Sequence, residues 1–295
     1  MHYLKRVLKS VPGVPLAVRI IRGRIVFSRT TWRILSIVAA ITGGVCSGTV
    51  FGTLSDGHLA AILPAAILGG LITGVLVGLL GFLHIKLNEA VDGRISLQEM
   101  TNIRPLIDGP PLDFGKFAID PHLGKVLAQI IYRHNPDYVV ECGSGTSTVF
   151  VAKLLKKLNP RGYITALEHL DEYAEETERL IQDHSCTSHA EVRAVPLTGC
   201  EPGGKDQVWY GVSPNDFRDQ DIDLLLVDGP PSTVCSMARY PAVPLLRSRL
   251  GDNCIIVMDD GDRPEDEEIA RRWAENEGAD LKYVGGPRGI YVLRL

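Results

Sequence analysis

The first residues that could do chemistry form a glycine-containing stretch, ECGSGT, at Glu141–Thr146. An apolar run at Tyr138–Val140 predicts a short buried strand before it, and the residues after it predict a helix over about 146–158. Two glycines at such a turn let the backbone bend sharply and approach a ligand closely. The stretch therefore predicts a nucleotide-like ligand over Gly143–Gly145, although a tight turn without a ligand uses the same residue types.

An acid ends the next predicted strand. Glu168 follows the run at Tyr163–Leu167, 23 residues after Gly145. A carboxylate at this position can accept hydrogen bonds from both hydroxyls of a ribose. The alternative is a solvated acid that opens the following helix, where the helix dipole favours it. A dinucleotide fingerprint would place a third small residue three positions after Gly145, and this chain has Thr148 there.

Three further acids follow two later strands. Asp228 comes directly after Ile222–Val227, and Asp259 and Asp260 come directly after Asn253–Met258. The carboxyl ends of parallel strands meet at one edge of a sheet, so the three side chains are predicted to lie together. Carboxylates in one cleft repel unless a positive charge joins them, and a hard divalent cation such as Mg²⁺ prefers oxygen ligands.

A metal-free interpretation of the same acids is also open. Asp228 or Asp259 would then be a general base, or the acids would cap the helix that starts near Pro264. His122 is a further candidate base at the start of a predicted helix, with an ordinary surface histidine as the alternative. Trp209 and Tyr210 either line a substrate pocket or pack against the sheet.

The elements that must position these residues alternate between strands and helices. The predicted helices span 121–134, about 146–158, about 171–183 and about 264–277. The predicted strands span 138–140, 163–167, 190–195, 222–227, 253–258, 280–284 and 289–295. This order predicts an α/β fold with a doubly wound, mostly parallel, seven-stranded sheet. The last two strands are joined by a short turn through Gly285–Gly289, so at least one of them is antiparallel.

At this point the chain resembles a known family. The pattern E-x-G-x-G-T after the first strand, the acid Glu168 after the second and the terminal strand hairpin are similar to class I S-adenosylmethionine-dependent methyltransferases, with a Rossmann-like fold. The resemblance covers roughly 119–295 and implies that S-adenosylmethionine is the cofactor. The implied cofactor residues are Glu141, Gly143, Ser144, Gly145, Thr146, Ser147, Glu168, Pro196, Leu197 and Asp228. Pro196 and Leu197 would lie near the adenine, where this chain has no acid or amide side chain.

The acids after strands four and five resemble those of metal-dependent O-methyltransferases of the catechol and macrolide-sugar type. That resemblance implies a metal held by Asp228, Asp259 and Asp260, which binds substrate hydroxyls and lowers the pKa of the attacking one. It implies methylation of a small-molecule or sugar hydroxyl, and the membrane anchor predicted below suggests a lipid-linked hydroxyl as a further acceptor. Two alternatives from other classes are a nucleotide-binding oxidoreductase that uses NAD and a non-catalytic membrane scaffold that retains the fold.

The N-terminal part predicts a membrane anchor. Residues 34–55 and 59–83 contain no charged side chain, and each run exceeds the roughly 20 residues that span a bilayer as a helix. The short connection Asp56–His58 makes the pair a transmembrane helical hairpin. Eight Lys and Arg and no acid occur in residues 1–55. By the positive-inside rule, both termini of this two-pass protein are cytoplasmic, at an inner or plasma membrane. Residues 1–33 are either an interfacial helix on anionic lipid or only a topology signal. Residues 84–118 are predicted to be a linker, and 119–295 the catalytic domain.

Both apolar runs carry glycine at every fourth position, at Gly44, Gly48 and Gly52 and at Gly70, Gly74 and Gly78. Such stripes let helices approach closely in lipid. They predict packing within the hairpin, with homodimerisation through a stripe as the alternative.

Composition excludes two further classes. Residues 56–295 hold 23 Lys and Arg against 35 Asp and Glu, which argues against nucleic acid as a partner. The six cysteines show no C-x-x-C spacing, so a zinc cluster is not expected. We expect them to be reduced thiols.

Overall fold

The computed structural model describes residues 18–21, 24–27, 35, 37–42, 45, 59–114, 118–204 and 206–295. The chain divides into two compact units, Met1–Arg94 and Ile95–Leu295. The second unit begins well before residue 119, the predicted start of the catalytic domain, because the end of a long helix belongs to it.

The first described residues of the first unit form a small hairpin. Strand β1 (Val18–Ile21) pairs antiparallel with β2 (Arg24–Phe27), with Val18 opposite Phe27. An interfacial helix is therefore wrong for this part of 1–33, and the β-branched content of both segments accounts for the strands. Residues 37–42 are helical, but most of the predicted first span, 34–55, lies outside the described residues. The two-helix hairpin stays a prediction, as does packing through Gly44, Gly48 and Gly52.

Helix α1 (Leu59–Ile103) is 45 residues long. Within the part of the chain that the structure describes, its segment Ala66–Leu87 is the one stretch of helix with the length and apolar composition to cross a bilayer. Large apolar side chains along it are more than half exposed, Val75 at 69% among them. The helix contains Gly70, Gly74 and Gly78.

The prediction of a linker over 84–118 is wrong for its first half, because α1 continues without interruption to Ile103. No proline occurs between residues 84 and 104 to break the helix. Pro105 then ends it, since a residue that precedes proline disfavours the helical conformation. A single 3-10 turn, Arg104–Leu106, follows, and residues 107–114 are irregular.

The second unit is built on a seven-stranded sheet. Its strands are β3 (Tyr138–Cys142), β4 (Tyr163–Glu168), β5 (Ala190–Ala194), β8 (Ile222–Val227), β9 (Leu250–Met258), β10 (Asp280–Tyr283) and β11 (Tyr291–Arg294). Their order across the sheet is β10-β11-β9-β8-β3-β4-β5. Strands β5, β4, β3, β8 and β9 are parallel, whereas β11 is antiparallel to both neighbours. The predicted Rossmann-like sheet and its reversed terminal hairpin are confirmed.

Helices cover both faces of this sheet. They are α2 (Pro121–His134), α3 (Thr146–Leu158), α4 (Asp171–Asp183), α5 (Ala242–Leu246) and α6 (Pro264–Glu277). Two apolar cores result, one on each face, and β3 sends Val139 into the first and Val140 into the second. The alternation follows from the two-residue period of a strand. Burial on both faces fixes the register, and with it the positions of the residues that follow each strand.

The connection from β5 to β8 contains a small hairpin of its own. Strand β6 (Leu197–Gly199) pairs antiparallel with β7 (Val208–Tyr210), with Leu197 opposite Tyr210. Trp209 and Tyr210 on β7 are buried in the second core. The hairpin thus brings an aromatic pair to the sheet.

Candidate cofactor and acceptor site

The glycine loop sits between β3 and α3, as predicted. Gly143 and Gly145 have φ values of 103° and 131°, a region that disfavours residues with a side chain. The Gly143 amide donates to the carbonyl of Leu167 (2.9 Å), which ties the loop to β4. A Cβ placed on Gly145 would meet no atom within 4 Å, so the backbone there faces open space. The loop can therefore receive a ligand directly against its main chain.

Glu141 supports this loop from below. Its side chain is fully buried, and its two carboxylate oxygens accept hydrogen bonds from the hydroxyls of Ser147 and Thr148. Burial raises the pKa of Glu141 to about 8, against the lowering effect of these two hydrogen bonds. Thr148 Oγ1 in turn accepts from the Gly145 amide (3.2 Å). Glu141 and Ser147, predicted as cofactor ligands, thus bond to each other and shape the loop.

Glu168 lies beside the loop at the end of β4. Its Oε2 accepts from the Ser144 hydroxyl (3.1 Å), and its Oε1 accepts from the amides of His169 (2.8 Å) and Leu170 (3.1 Å). The Ser144 hydroxyl is also 3.0 Å from that of Thr177, a contact that the sequence did not reveal. A carboxylate with a loop hydroxyl beside it fits the recognition of ribose hydroxyls.

The predicted adenine residues lie on the far side of β4. The Pro196 carbonyl accepts from the Gly211 amide (2.9 Å), and Leu197 pairs with Tyr210. They are half-buried to exposed, as a residue that borders a ligand would be. Trp209 is fully buried, so packing is the correct interpretation for it.

Trp209 Nε1 and the Tyr210 hydroxyl are both buried without a hydrogen-bond partner among the described residues, but the Tyr210 hydroxyl lies against Gly229, next to the glycine loop. A Cβ placed on Gly229 would collide with that hydroxyl and would lie 3.2 Å from the Gly143 amide nitrogen. Burial raises the pKa of Tyr210 well above its ordinary value, and the nearby Glu168 and Asp228 add to the effect. The hydroxyl thus stays protonated as a donor close to the crevice where β3 and β8 diverge.

Replacing Tyr210 by Phe tests whether this donor serves the ligand. We expect the Kd for S-adenosylhomocysteine to rise about tenfold, because a buried hydrogen bond is lost. Stability in the absence of ligand should not fall, since the hydroxyl leaves no protein partner behind. Tyr138→Phe is the matched control: its hydroxyl lies 3.1 Å from Thr165 Oγ1, so it should lose about 1 kcal/mol of stability and keep its affinity. Unchanged affinity for Tyr210→Phe would contradict a ligand role.

The three acids come together as predicted. Carboxylate oxygens of Asp228, Asp259 and Asp260 all lie within 4.8 Å of one another. Asp259 is 1% exposed at its side chain, Asp260 13% and Asp228 39%. Asp228 is therefore the acid that an acceptor can reach. The alternative that these acids cap α6 is wrong, since Arg263 occupies the N-cap position without a side-chain cap.

A buried arginine supplies the positive charge that this cluster needs. Nη2 of Arg239 is 3.1 Å from Asp228 Oδ1 and 3.0 Å from Asp260 Oδ2, and Nη1 donates to the Asp259 carbonyl (2.9 Å). Burial lowers the pKa of Arg239, but the surrounding acids, Asp228 first, outweigh it and the net shift is upward. Arg239 comes from an irregular segment between β8 and α5. Only the requirement for a counter-charge could have indicated it.

Two more arginines complete the network. Arg263 Nη2 is 2.9 Å from Asp260 Oδ2, and Arg288 Nη1 is 3.4 Å from Asp259 Oδ2. The arginines contact Asp228 Oδ1, Asp259 Oδ2 and Asp260 Oδ2, whereas Asp259 Oδ1 is buried without a hydrogen-bond partner among the described residues. The predicted metal site therefore stays a prediction. The charge argument for a metal no longer applies, because arginines meet it.

Asp259 has a consequence for stability as a function of pH. Burial, followed by the charges of Asp228 and Asp260, raises its pKa to about 7, well above the ordinary value of an unfolded aspartate. The folded state thus holds a proton that the unfolded state has released. The associated stability is complete below about pH 4 and is lost as the pH rises to about 7.

We expect Asp259→Asn to remove much of this pH dependence, as measured by thermal unfolding between pH 4 and pH 8. Asp252→Asn changes an exposed residue of the same strand and should leave the dependence as it is. Glu141 contributes in the same direction up to about pH 8, so some slope should remain. An Asp259→Asn curve parallel to wild type would refute the assignment.

His122 is a buried residue, so the surface interpretation is wrong. Its side chain is 10% exposed, and Nδ1 is 2.6 Å from Oε1 of Glu99 on α1. The sequence could not indicate this partner, because Glu99 lies in the segment that was predicted to be a linker. His122 is thus part of an acid–histidine pair at the start of α2.

Comparisons with known proteins agree with this fold. A model described as a methyltransferase domain matches residues 140–261, and no curated protein sequence matches the chain. A methyltransferase of Podospora anserina, solved with S-adenosylhomocysteine, is similar at a TM-score of 0.51 and 14% identity, over 70% of this chain and 96% of that one. An O-methyltransferase of Bacillus cereus, also solved with that product, has a TM-score of 0.46 and 17% identity, over 70% of this chain and 97% of that one.

The match to the methyltransferase domain bears on the class of protein. The matched residues run from β3 through the glycine loop to the acids after β9. They include every predicted cofactor residue and all three acids, whereas the candidate base His122 lies before them. The predicted enzyme class, an S-adenosylmethionine-dependent methyltransferase, is confirmed.

Proposed function

We propose that this protein is an O-methyltransferase that acts on a hydroxyl acceptor at the cytoplasmic face of a membrane. One observation carries the proposal: the only reachable acid of the described cluster adjoins the glycine loop. The amides of Asp228 and Gly229 both donate to the Cys142 carbonyl, at 3.0 and 2.7 Å, directly before Gly143. A hydroxyl that hydrogen-bonds to Asp228 would lie beside the cofactor loop.

The residues present fit S-adenosylmethionine. The main chain at Gly143–Gly145 offers an open surface, Glu168 with Ser144 offers partners for ribose hydroxyls, and Tyr210 offers an unused donor. When bound, the cofactor supplies an electrophilic methyl group on a positively charged sulfur. The protein then has to orient the acceptor oxygen, exclude competing water and receive a proton.

In this proposal the acid cluster orients the acceptor. Asp228 accepts a hydrogen bond from the acceptor hydroxyl, and Arg239 holds that carboxylate in place through Nη2. Asp259 and Asp260 serve as the buried partners of the arginines and do not need to reach the acceptor. Mg²⁺ is not required for this role, and we expect EDTA to leave the rate unchanged.

An NAD-dependent oxidoreductase is less compatible with the loop. The position that a dinucleotide fingerprint gives to a third small residue belongs to Thr148, whose hydroxyl is bonded to both Glu141 and the Gly145 amide. A non-catalytic scaffold would need none of the open glycine surface. No observation favours either alternative.

Membrane attachment is part of the proposal. The apolar segment Ala66–Leu87 of α1 and the eight basic residues before Asp56 support an anchor with the catalytic unit in the cytoplasm. A catalytic domain tethered in this way favours a lipid-linked or membrane-delivered acceptor. The glycine stripe of α1 is compatible with a homodimer.

The experiment uses the full-length protein in lipid nanodiscs. Calorimetry should detect binding of S-adenosylhomocysteine and none of NAD. Methyl transfer from radiolabelled cofactor is then followed into the chloroform-soluble and the aqueous fractions of a membrane extract, with and without EDTA. We expect label in the chloroform-soluble fraction at the same rate under both conditions, and none with Glu168→Ala.

Label in the aqueous fraction alone would overturn the lipid-linked acceptor. A rate abolished by EDTA and restored by Mg²⁺ would overturn the metal-free role of the acids. Binding of NAD in place of S-adenosylhomocysteine would overturn the function itself.

A further inference from the structure

We propose that His122 is the general base of this methyl transfer and that Glu99 is the residue that positions it. This inference rests on the proposed function and adds a residue, Glu99, that lies outside the matched methyltransferase domain. A carboxylate can only accept a hydrogen bond, so Nδ1 of His122 carries the hydrogen, and in the neutral ring the lone pair is then on Nε2.

Burial and neighbouring contacts fix the geometry of the His122–Glu99 pair. Both side chains are at least nine-tenths buried, and the 2.6 Å contact between Nδ1 and Oε1 is short for a hydrogen bond between nitrogen and oxygen. Lys125 Nζ lies 3.5 Å from the same Oε1, so the carboxylate has a positive neighbour. The His122 amide donates to Asp120 Oδ1 (2.7 Å), which fixes the backbone at the start of α2. The ring therefore has one orientation.

The free end of the ring lies against the β10–β11 connection. Nε2 of His122 is buried and makes no hydrogen bond to the described residues. A Cβ on Gly286 would collide with the ring, and Gly286 has a φ of 113° that excludes most other residues. The β10–β11 connection thus leaves room for the imidazole. A lone pair buried without a donor costs stability, and a ligand hydroxyl would satisfy it.

The segment before His122 is tied to both halves of the site. The Ile119 amide donates to Thr146 Oγ1 (3.0 Å) at the start of α3, next to the glycine loop. The Ala118 carbonyl is 3.5 Å from Nη2 of Arg288, whose Nη1 reaches Asp259. The start of α2 therefore borders the cofactor loop on one side and the acid cluster on the other.

The acids of the cluster are less suited to the same step. Asp228 Oδ1 and Asp260 Oδ2 accept hydrogen bonds from Arg239, and Asp259, whose side chain is 1% exposed, is out of reach of an acceptor. A carboxylate held by a guanidinium is well placed to orient a hydroxyl. Nε2 of His122 has no such competitor.

Proton transfer to His122 accompanies the transfer of the methyl group. The O–H bond of the acceptor breaks, its proton moves to Nε2 of His122, and the oxygen keeps the electron pair. That pair forms the bond to the methyl carbon as the carbon–sulfur bond breaks and its electrons remain on sulfur. Glu99 then stabilises the resulting imidazolium through Nδ1–H.

The test measures methyl transfer from radiolabelled cofactor into the membrane extract, with full-length protein in nanodiscs. Rates are divided by the number of sites that bind S-adenosylhomocysteine, so that only folded protein counts. We expect His122→Gln to lower kcat by about 10²- to 10⁴-fold and Glu99→Gln by about tenfold, with the Kd for S-adenosylhomocysteine unchanged. The double variant should be no slower than His122→Gln alone, because Glu99 acts only through the imidazole.

Ile103→Ala is the matched control for a structural brace. Ile103 is on the same helix as Glu99, and its Cδ1 packs against Gly124 of α2, 3.2 Å from where a Cβ on that glycine would lie. It should lower stability and leave the normalised kcat unchanged. Equal losses of kcat in Ile103→Ala and Glu99→Gln, or an unchanged kcat in His122→Gln, would overturn the inference. Absence of transfer by the wild-type protein would instead overturn the proposed function.

Discussion

Replacing Arg239 with Met should lower the free energy of unfolding by about 3–5 kcal/mol, the usual cost of leaving buried charges without their partner. The guanidinium is 3% exposed and bridges Asp228 and Asp260, with Asp266 at 3.7 Å. Met has a similar length but no charge, so the loss would come from the carboxylates left behind. Urea unfolding of the full-length protein in mild detergent measures the change.

Arg271→Met is the matched control for this prediction. Arg271 pairs with Glu268 at 2.7 Å, but both side chains are exposed to solvent, and such surface pairs contribute little. We expect no measurable change. If Arg239→Met also left the free energy of unfolding unchanged, another group would have to balance the charges of the acids. That result would support a bound cation among them.

Glu168→Gln should weaken binding of S-adenosylhomocysteine by about 10- to 100-fold. The carboxylate can accept hydrogen bonds at both oxygens, whereas the amide presents one acceptor and one donor, and hydrogen bonds to charged groups contribute about 1.5–3 kcal/mol. Calorimetry on the full-length protein measures the affinity directly. The amides of His169 and Leu170 can still bond to the remaining oxygen, so the protein should stay folded.

Glu191→Gln provides the comparison. Glu191 lies on the neighbouring strand β5, accepts a hydrogen bond from Thr165 at 2.9 Å and also pairs with Arg193. Glu191 is away from the glycine loop, so the affinity of the Glu191→Gln variant for S-adenosylhomocysteine should equal that of the wild-type protein. If both variants bound equally well, Glu168 would be only the cap of α4, the alternative that the sequence left open.

Much of this site was accessible from sequence because its residues follow strands directly. Apolar runs identified β3, β4, β8 and β9, and the geometry of a parallel sheet then brought Gly143, Glu168 and Asp228 to one edge. These predictions use local patterns and one general rule. They needed no knowledge of how distant segments pack.

Three features could not be predicted in that way. Arg239 comes from an irregular segment without periodicity, and the β6–β7 hairpin is made of strands of three residues each, too short for a clear pattern. Glu99 lies in the last part of helix α1, where the many polar residues are also typical of a linker. In each case the function comes from a contact between segments that only the folded chain brings together.

The end of helix α1 has a practical consequence for protein engineering. A soluble version cut at residue 119, where the sequence places the domain boundary, would discard Glu99 and Ile103. Both belong to the compact unit Ile95–Leu295, and both are buried in it. Such a protein would expose the apolar surface of α2 around Gly124 and aggregate, and His122 would lose its carboxylate. A useful truncation has to keep the last turns of the helix that begins as the anchor.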